Sequence, residues 1–416
     1  MKIAVIGSGG AGTTASWLLD ERHDVTVFEK NPIPGGHART TMVPLGGTPR
    51  PVDDGFVWFN EGLYPTLHRL LAIHGLEKVM LKLGASFTDT RTGRSLTLPP
   101  KGVGGALRMA SSWRTITDVA RLQPVFSKAH AMDKAKVRDV AWPDFLASFN
   151  FPKSFTDDFL TPFLAGAWGC PMSRVNDFSS YALLKYPLAS DVTRGRVTPW
   201  YVVKVGGEGY IRKVQSTFKR TEVKLDCAVE TVRRGATGWV VTPRGGEAVE
   251  VDHVVFGCSP LVARKILGDQ QGVDALTSVL SRFDYYSTRI ATHDDPSFMP
   301  ARRSDWSTAN IFYDGTESRV SIWADRQLGY DIFTTALDKR EPANPFHVST
   351  FILPVLSPAH YRAQAALWDL QGRDNLWFCG DYTRDIGSHE DALSSAVEVA
   401  SRIDSTLPRL AQLRGS

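Results

Sequence analysis

The sequence predicts an α/β protein built on a Rossmann-like nucleotide-binding domain, and three features near its start support this class. Ile3 to Ile6 form a short apolar run, which is typical of a parallel strand buried on both faces. The pattern Gly7-x-Gly9-x-x-Gly12 follows, and Glu29 stands about 20 residues further on. These features predict a strand, a glycine turn, a helix and a second strand that ends near the acid.

Each glycine of this turn has its own physical purpose. Gly7 permits the tight turn, Gly9 lets the backbone approach a pyrophosphate, and Gly12 allows close packing of the helix on the strand. The helix that follows begins with unpaired N–H groups and a positive dipole end, which favour an anion. Val25 to Phe28 is the second predicted strand, and the Glu29 carboxylate at its end can accept hydrogen bonds from ribose hydroxyls. The same carboxylate would repel a 2′-phosphate, which argues against NADP.

The composition excludes several other classes of protein. The 416 residues suffice for about two or three domains. The net charge of +4 is small and evenly spread, which argues against nucleic acid binding. The four cysteines lie far apart without a CxxC pattern, so neither a metal site nor a disulfide framework is predicted. No apolar run reaches the ~18 residues of a membrane span and no targeting segment is visible, so we expect a cytoplasmic protein without a transmembrane segment.

Two further segments favour FAD over NAD. "EKNPIPGGHARTT" places Gly35 and Gly36 just beyond the second strand, with His37 and Arg39 as nearby cations for the pyrophosphate. "NLWFCGDYTRDIGSHEDALSSAVEVASRI" lies near the C-terminus. In it we predict a strand at Leu376–Cys379, a tight exit at Gly380-Asp381, and a helix at Asp391–Ile403 with an apolar stripe.

Together these segments resemble the flavin-dependent amine oxidase superfamily, which includes monoamine oxidases, protoporphyrinogen oxidases and phytoene desaturases. "VDDGFVWFNEGLYP", "MPARRSDWSTANIF" and "GSHEDALSSAVEVA" are similar to a bacterial branch known only as predicted NAD/FAD-binding oxidoreductases. The resemblance runs through nearly the whole chain and implies a glutathione-reductase-type FAD-binding domain with an inserted α+β substrate domain. Monoamine oxidases attach flavin through a cysteine before the last cofactor strand. Because no cysteine lies between Cys258 and Cys379, we expect noncovalent FAD.

The resemblance also implies cofactor roles for individual residues. The implied cofactor-binding set is Gly7, Gly9, Gly10, Ala11, Gly12, Glu29, Lys30, Gly35, Gly36, His37, Arg39, Gly55, Phe56, Val57, Val229, Gly380, Asp381, Asp391, Ala392 and Leu393. The glycine loop would line the pyrophosphate, residues 55–57 would run beside the isoalloxazine ring, and N–H groups of Ala392 and Leu393 would face flavin O2. His37 stands where the superfamily commonly has Arg, so either His37 or Arg39 could supply the cation. Asp391 stands where Gly is frequent.

The middle of the chain predicts the remaining architecture. Alternating apolar and polar residues from 223 to 258 predict a three-stranded meander with turns at 235–238 and 244–246. Val229 in this meander would pack on adenine, although an ordinary core valine explains it equally simply. We divide the chain into a discontinuous FAD-binding domain (1–90, 205–265 and 345–416) and a substrate domain (91–204 and 266–344). The first insert reads as mainly helical, and the second contains a hairpin signal at Asp314-Gly315.

A flavin performs the redox step itself, so no complete catalytic triad is required. His389 could move a proton near neutral pH, and Glu390 beside it is a second catalytic candidate, although both could serve only structure. Aromatic residues are plentiful in the predicted pocket: Trp58, Phe59, Tyr64, Trp200, Tyr201, Tyr285, Tyr286 and Trp306. Trp58, Phe59 and Tyr201 are the predicted substrate contacts, with core packing as the alternative for each.

The sequence leaves several functions open. The first is a flavin oxidoreductase that oxidises or desaturates a small hydrophobic substrate, because no acidic pocket for an amine is evident. The alternatives are an isomerase that needs FAD without net redox change, a flavin-dependent amine oxidase, and a flavin-binding protein without turnover. The sequence does not specify the electron acceptor.

Overall fold

The computed structural model describes residues 1–100, 102–110, 113–189, 198–324 and 330–414. The first strand of the chain lies in the middle of a five-stranded parallel sheet with the order β10-β2-β1-β14-β20. These strands are β1 (Lys2–Ile6), β2 (Asp24–Phe28), β10 (Thr221–Lys224), β14 (His253–Phe256) and β20 (Leu376–Phe378). The two strands predicted at the start of the chain are confirmed. The strand predicted at Leu376–Cys379 is also present and ends one residue earlier.

Both faces of this sheet are covered, as a parallel sheet requires. Side chains alternate along β1, so Ile3 and Val5 point into one core while Ala4 and Ile6 point into another. The first core is shared with α1 (Gly10–Leu19), α2 (Pro65–Ile73), α10 (Gly206–Gln215), α14 (His389–Ile403) and α15 (Arg409–Arg414). The second core is shared with α11 (Pro260–Leu267), α12 (Asp274–Leu280), α13 (Pro358–Trp368) and the meander β11 (Val229–Arg234), β12 (Trp239–Pro243) and β13 (Val249–Val251).

The meander is antiparallel and has turns at both predicted places, so this prediction is confirmed. The C-terminal helix is also confirmed, but it begins at His389 rather than Asp391. This two-residue difference changes which N–H groups are free at the end of the helix.

A seven-stranded sheet forms the second layer, with the order β19-β15-β18-β17-β16-β7-β8. Its strands are β7 (Ala85–Asp89), β8 (Arg94–Leu98), β15 (Tyr285–His293), β16 (Ala309–Tyr313), β17 (Ser318–Trp323), β18 (Phe333–Ala336) and β19 (His347–Pro354). β16 and β17 pair antiparallel around Asp314-Gly315, which confirms the predicted hairpin. β7 and β19 are strands of this sheet. The sequence-based division had assigned residues 85–89 and 347–354 to the FAD-binding domain.

The first insert is mainly helical, as predicted, and most of its helices share a core with the seven-stranded sheet. The helical segments are α3 (Gly102–Ala110), α4 (Trp113–Lys134), α5 (Trp142–Ala147), α6 (Lys153–Phe155), a π-helical turn (Thr156–Leu160), α7 (Thr161–Trp168), α8 (Met172–Val175) and α9 (Ser180–Ala189). Two small sheets connect the layers: β3 (Thr40–Leu45) with β4 (Thr48–Asp53), and β5 (Phe59–Asn60) with β9 (Trp200–Val203) and β6 (Lys78–Leu81).

Among the helices of the described ranges, none has the length and apolar character needed to cross a membrane.

Candidate active site

The first glycine loop is closed by backbone contacts that only glycine permits. Gly7 has a φ of +101°, and its N–H donates to the carbonyl oxygen of Phe28 at 2.8 Å. A Cβ on Gly12 would lie 1.9 Å from the Gly7 oxygen, and one on Gly257 would lie 2.9 Å from Gly12 Cα. Gly12 therefore packs α1 against β1 and β14. It does not line the cavity described below, so the predicted pyrophosphate contact is wrong for this residue.

A second glycine loop lies against the first. The N–H of Gly35 donates to the Ser8 carbonyl at 3.1 Å, and Gly35 and Gly36 have φ values of +116° and +59°. A Cβ on Gly36 would lie 3.3 Å from Gly9 Cα. The two loops thus form a backbone cradle at the N-terminus of α1. The cap residue of this helix is Gly9, which has no side chain that could bind the first N–H groups. N–H groups at such a terminus are suited to an anion.

Glu29 holds this cradle together. Its Oε2 accepts from the N–H and the hydroxyl of Ser8, each at 2.9 Å. Its Oε1 accepts from the N–H of Asn31 at 3.0 Å and from Asn31 Nδ2 at 2.8 Å. The carboxylate is only 5% exposed but borders the cavity, so a ribose hydroxyl would reach it by replacing a side-chain donor.

The cradle opens into a cavity of about 1430 Å³ that extends to the seven-stranded sheet. The predicted site residues that line it are Gly7, Gly9, Gly10, Ala11, Glu29, Lys30, Gly35, Gly36, His37, Arg39, Gly55, Phe56, Val57, Trp58, Val229, Gly380, Asp381, His389 and Ala392. The predicted residues that do not line it are Gly12, Phe59, Tyr201, Glu390, Asp391 and Leu393. Most residues assigned to the cofactor are therefore brought to one surface.

His389 lies on the cavity wall beside the cradle. Its ring stacks on Phe56, with 4.1 Å between centroids, and its Nε2 is hydrogen-bonded to the Tyr210 hydroxyl. A Cβ on Gly10 would lie 2.6 Å from His389 Cε1. Burial, and to a lesser degree His37 nearby, lower the pKa of His389 to about 3. The ring is therefore neutral at physiological pH, and the proton transfer proposed for it stays a prediction.

Glu390 faces away from the cavity and caps another helix. Its Oε1 accepts from the N–H of Thr66 at 2.8 Å, and its Oε2 accepts from the N–H of Leu67 at 3.0 Å. Burial raises the pKa of Glu390, and these hydrogen bonds oppose the rise. The catalytic prediction for Glu390 is wrong, because the carboxylate is committed to the first turn of α2.

Asp391 stands in place of glycine because it completes a capping box. Its Oδ2 accepts from the Ser388 N–H at 2.8 Å, and its own N–H donates to Ser388 Oγ at 3.2 Å. Burial raises the pKa of Asp391 to about 8. The N–H of Ala392 donates to the Ser388 carbonyl at 3.1 Å. The N–H groups of residues 391–393 are thus used within the helix, and those left without a helical acceptor belong to His389 and Glu390.

The predicted substrate contacts Trp58 and Phe59 lie on opposite sides of the chain at the start of β5. Trp58 faces the cavity, and its ring lies 6.5 Å from that of Trp200. Phe59 points to the other side, where it is fully buried against His68 and Tyr201. Phe59 is therefore a core residue and Tyr201 packs half-buried against that core, so neither lines the cavity and their predicted substrate contact is wrong. Of the other aromatic residues considered, Tyr64, Trp200 and Tyr285 line the cavity, whereas Tyr286 and Trp306 do not.

The cavity is also lined by His37, Arg39, Asp54 and Asp381. His37 Nδ1 lies 3.6 Å from Asp381 Oδ2, and Arg39 lines the same wall. Asp54 is fully buried, with Oδ2 accepting from Ser349 Oγ at 2.6 Å. Its Oδ1 has no hydrogen-bond partner within the described ranges, and burial raises the pKa of Asp54. Such an orphaned atom indicates a ligand group nearby.

The far end of the cavity is an apolar arm that the sequence analysis missed. It is walled by Leu122, Phe126, Phe159, Phe163, Leu164, Ile290, Ile311, Val320, Ile322, Ala336 and Leu353. Pairs of these residues lie directly opposite each other on neighbouring strands, such as Ile290 with Ala336 and Ile311 with Val320. One signal was available, because Leu122 and Phe126 are four residues apart on one helical face. Nothing local showed that this face meets the sheet.

The family comparison agrees with this geometry. The family model described as flavin-containing amine oxidoreductase matches residues 13–325, about three quarters of the chain. The chain belongs to the flavin-containing amine oxidoreductase family. No curated protein sequence matches this amine oxidoreductase chain.

Several solved structures share the fold of this family member. A fatty acid isomerase from P. acnes that produces CLA has a TM-score of 0.69 and 15% identity, covering 97% of this chain and 98% of that one. Putrescine oxidase bound to putrescine has a TM-score of 0.69 and 14% identity, covering 97% and 99%. Cyclohexylamine oxidase from Brevibacterium oxydans IH-35A has a TM-score of 0.67 and 15% identity, covering 97% and 99%. At these identities the likeness concerns the fold.

The residues present fit the flavin that this amine oxidoreductase family uses. Gly9 and Gly36 both line the cavity and lie against each other, so backbone rather than side chains faces the cavity at this point. α1 and α14 both begin at the cavity wall. Their first N–H groups can therefore bind anionic or carbonyl oxygens there.

Proposed function

We propose that this chain is an FAD-dependent oxidoreductase that oxidises or desaturates an apolar, lipid-like small molecule. The observation that carries the proposal is the continuity of the cavity from the glycine cradle to the apolar arm. Ligand sites commonly lie in such apolar clefts between structural layers. The proposal includes an FAD-binding domain around the parallel sheet and a substrate domain formed by the helices and the seven-stranded sheet.

Named residues would hold the cofactor. Gly9 and Gly36 would bracket the pyrophosphate, Glu29 would accept from the adenosine ribose, and residues 55–57 would run beside the flavin ring. When bound, FAD supplies the hydride acceptor for the reaction. The chain's own residues orient the substrate and exclude water, and the aromatic and aliphatic walls suit both tasks.

We infer that FAD is bound noncovalently, and Cys258 is the thiol to consider. It lines the cavity, but burial raises its pKa to about 12, so it is a neutral thiol at physiological pH. Cys379 is buried in a core and does not line the cavity. All four cysteines are unpaired, which supports a reducing compartment such as the cytoplasm.

The acids of the cavity argue against an amine substrate. The carboxylates among the described lining residues are Glu29, Asp54 and Asp381, and none lies in the apolar arm. A protonated amine in the arm would lack a counter-ion, and an unpaired buried charge is costly. Isomerisation of an unsaturated chain without net redox change is the second candidate. It is favoured by the same apolar walls and by the fold shared with the fatty acid isomerase.

Anaerobic incubation of the holoenzyme with three probes tests the proposal: a saturated acyl ester, its unsaturated counterpart and a diamine. Bleaching of the flavin by an acyl ester, with a product lighter by two hydrogen atoms, would support the oxidoreductase. A product of unchanged mass would identify an isomerase. Bleaching by the diamine alone would refute an apolar substrate, and no reaction with any probe would favour a protein without turnover.

A steric variant checks that the arm holds the substrate. Ala336 lies on β18 with its side chain on the cavity wall, so Ala336→Phe should fill the arm. We expect weaker binding of the reactive ester with an unchanged flavin spectrum. Ala135→Phe is the matched control, because Ala135 is exposed and far from the cavity lining.

A further inference from the structure

Two tyrosine hydroxyls interrupt the apolar wall where the cofactor end of the cavity meets the arm. Tyr64 Oη and Tyr186 Oη are 2.8 Å apart, and both residues line the cavity. The Tyr64 ring lies 6.2 Å from Phe56, which stacks on His389. The Tyr186 ring lies 5.1 Å from Trp168, which lines the cavity on α7, the helix that also carries the arm residue Leu164. The pair therefore bridges the two ends.

The pair has one more donor than its own hydrogen bond uses. Each phenol carries one O–H, and the bond between them uses one of these two protons. Within the described ranges neither hydroxyl has a further hydrogen-bond acceptor. Tyr64 is only 3% exposed, so a donor left unpaired here is unfavourable. A ligand oxygen would remove that cost.

The surroundings of the pair favour an uncharged oxygen. Burial raises the pKa of both phenols, and the hydrogen bond between them adds to the rise at Tyr64, so both stay protonated and act as donors. Asp385, which lies near Tyr186, is already paired with Arg138 at 3.2 Å. A carbonyl oxygen could accept a hydrogen bond here without bringing a charge into this buried part of the cavity, whereas a carboxylate would bring one.

We propose that the Tyr64–Tyr186 hydroxyl pair donates a hydrogen bond to a carbonyl-type oxygen of the substrate. This inference rests on the proposed function and narrows it. The substrate is an apolar chain with one uncharged acceptor, such as a ketone or ester, rather than a hydrocarbon or a free acid. The hydrogen bond positions the chain, so both tyrosines are positioning residues.

The test compares decan-2-one, decane and decanoate as ligands of the holoenzyme, with binding followed by changes in the flavin absorption spectrum. We expect decan-2-one to bind about tenfold more tightly than decane, as one hydrogen bond to a buried donor allows. In the variant Tyr64→Phe/Tyr186→Phe the two affinities should become equal. At least one single variant, the one that removes the phenol in contact with the ligand, should reduce the ratio, which provides a second test if the double variant does not fold.

Tyr285→Phe is the matched control, because Tyr285 also lines the cavity and its buried hydroxyl has no partner in the described part of the chain. This variant should keep the preference for the ketone. Loss of the preference in Tyr285→Phe alone would overturn the assignment to Tyr64 and Tyr186. Tighter binding of decanoate than of decan-2-one would overturn the uncharged class. Equal binding of decane and decan-2-one to the unmodified protein would overturn this inference but keep the apolar substrate. Failure of all three ligands to bind would overturn both.

Discussion

Trp58 and Phe59 are adjacent residues with opposite environments. Trp58 faces the cavity, whereas Phe59 is fully buried beside His68. We predict that Trp58→Ala lowers turnover while FAD affinity and the flavin spectrum change little. Phe59→Ala should instead lower the free energy of unfolding by about 3–5 kcal/mol, as for other buried aromatic residues. Urea unfolding and steady-state kinetics of both variants separate the two effects. Equal losses of stability in both variants would show that Trp58 is also core.

Glu29 holds Ser8 and Asn31 by hydrogen bonds and is also the proposed ligand of the adenosine ribose. Glu29→Ala removes a charged acceptor, and hydrogen bonds to charged groups are worth about 1.5–3 kcal/mol. We therefore expect FAD affinity to fall about tenfold to a hundredfold, as measured by titration of the apoprotein. Glu29→Gln keeps one acceptor oxygen and should lose less. An unchanged dissociation constant in a folded Glu29→Ala protein would contradict the ribose assignment.

At the scale of elements, Glu390 joins two helices through hydrogen bonds to α2. Glu390→Ala would leave the N–H groups of Thr66 and Leu67 buried without acceptors. We predict a loss of about 1–3 kcal/mol in the free energy of unfolding, with a retained flavin spectrum. Glu398→Ala on the same helix is the control, because Glu398 lies at the surface beside Arg402 and should change stability by less than about 0.5 kcal/mol. Loss of turnover without loss of stability would restore the catalytic role.

The seven-stranded sheet contains a buried histidine whose protonation should oppose folding. The Asp295 N–H donates to His293 Nδ1 at 3.1 Å, so Nε2 carries the proton and donates to Thr335 Oγ1. Burial lowers the pKa of His293 from its ordinary value of 6.5 to about 4. Between these values the unfolded chain binds the proton and the folded chain does not. The contribution of neutral His293 to the free energy of unfolding is therefore fully present above the unfolded pKa. It is lost as the pH falls towards the folded pKa.

The expected slope for His293 is at most about 1.4 kcal/mol per pH unit. His293→Asn retains an acceptor for the Asp295 N–H but does not titrate in this range. We predict that the unmodified chain loses more of its free energy of unfolding than this variant does when the pH is lowered from 7 to 5, as measured by urea titrations. A pH-independent difference between the two proteins would contradict the pKa shift.

At the scale of the whole molecule, one cavity joins the parallel sheet to the seven-stranded sheet. Its only cysteine in the described lining is Cys258, a buried neutral thiol. We predict that acid or heat denaturation releases all of the yellow FAD into the supernatant. Flavin that remains with the precipitated protein would contradict noncovalent binding, and a Cys258→Ser control would show whether this thiol is the attachment point.

Much of the nucleotide end of the site could be predicted from the sequence because its constraints are local. Gly7 needs a positive φ, and Gly12 cannot carry a Cβ beside the Gly7 oxygen. Such steric demands act within a few residues, so a short pattern is enough to indicate them. Glu29 could be placed for the same reason, since it directly follows the predicted second strand, and Gly35 and Gly36 come only a few residues later.

The sequence by itself therefore determined the two glycine loops, the strands beside them and the flavin-type motifs. Tertiary structure alone decided which way distant side chains face. Glu390 contacts Thr66 across 324 residues, and Tyr64 meets Tyr186 across 122. A local pattern cannot specify such contacts, because they depend on how whole elements pack after the chain has folded. The hydrogen bonds of Glu390, the burial of Phe59 and the walls of the apolar arm all depend on this packing, and a residue's position in the sequence does not reveal them.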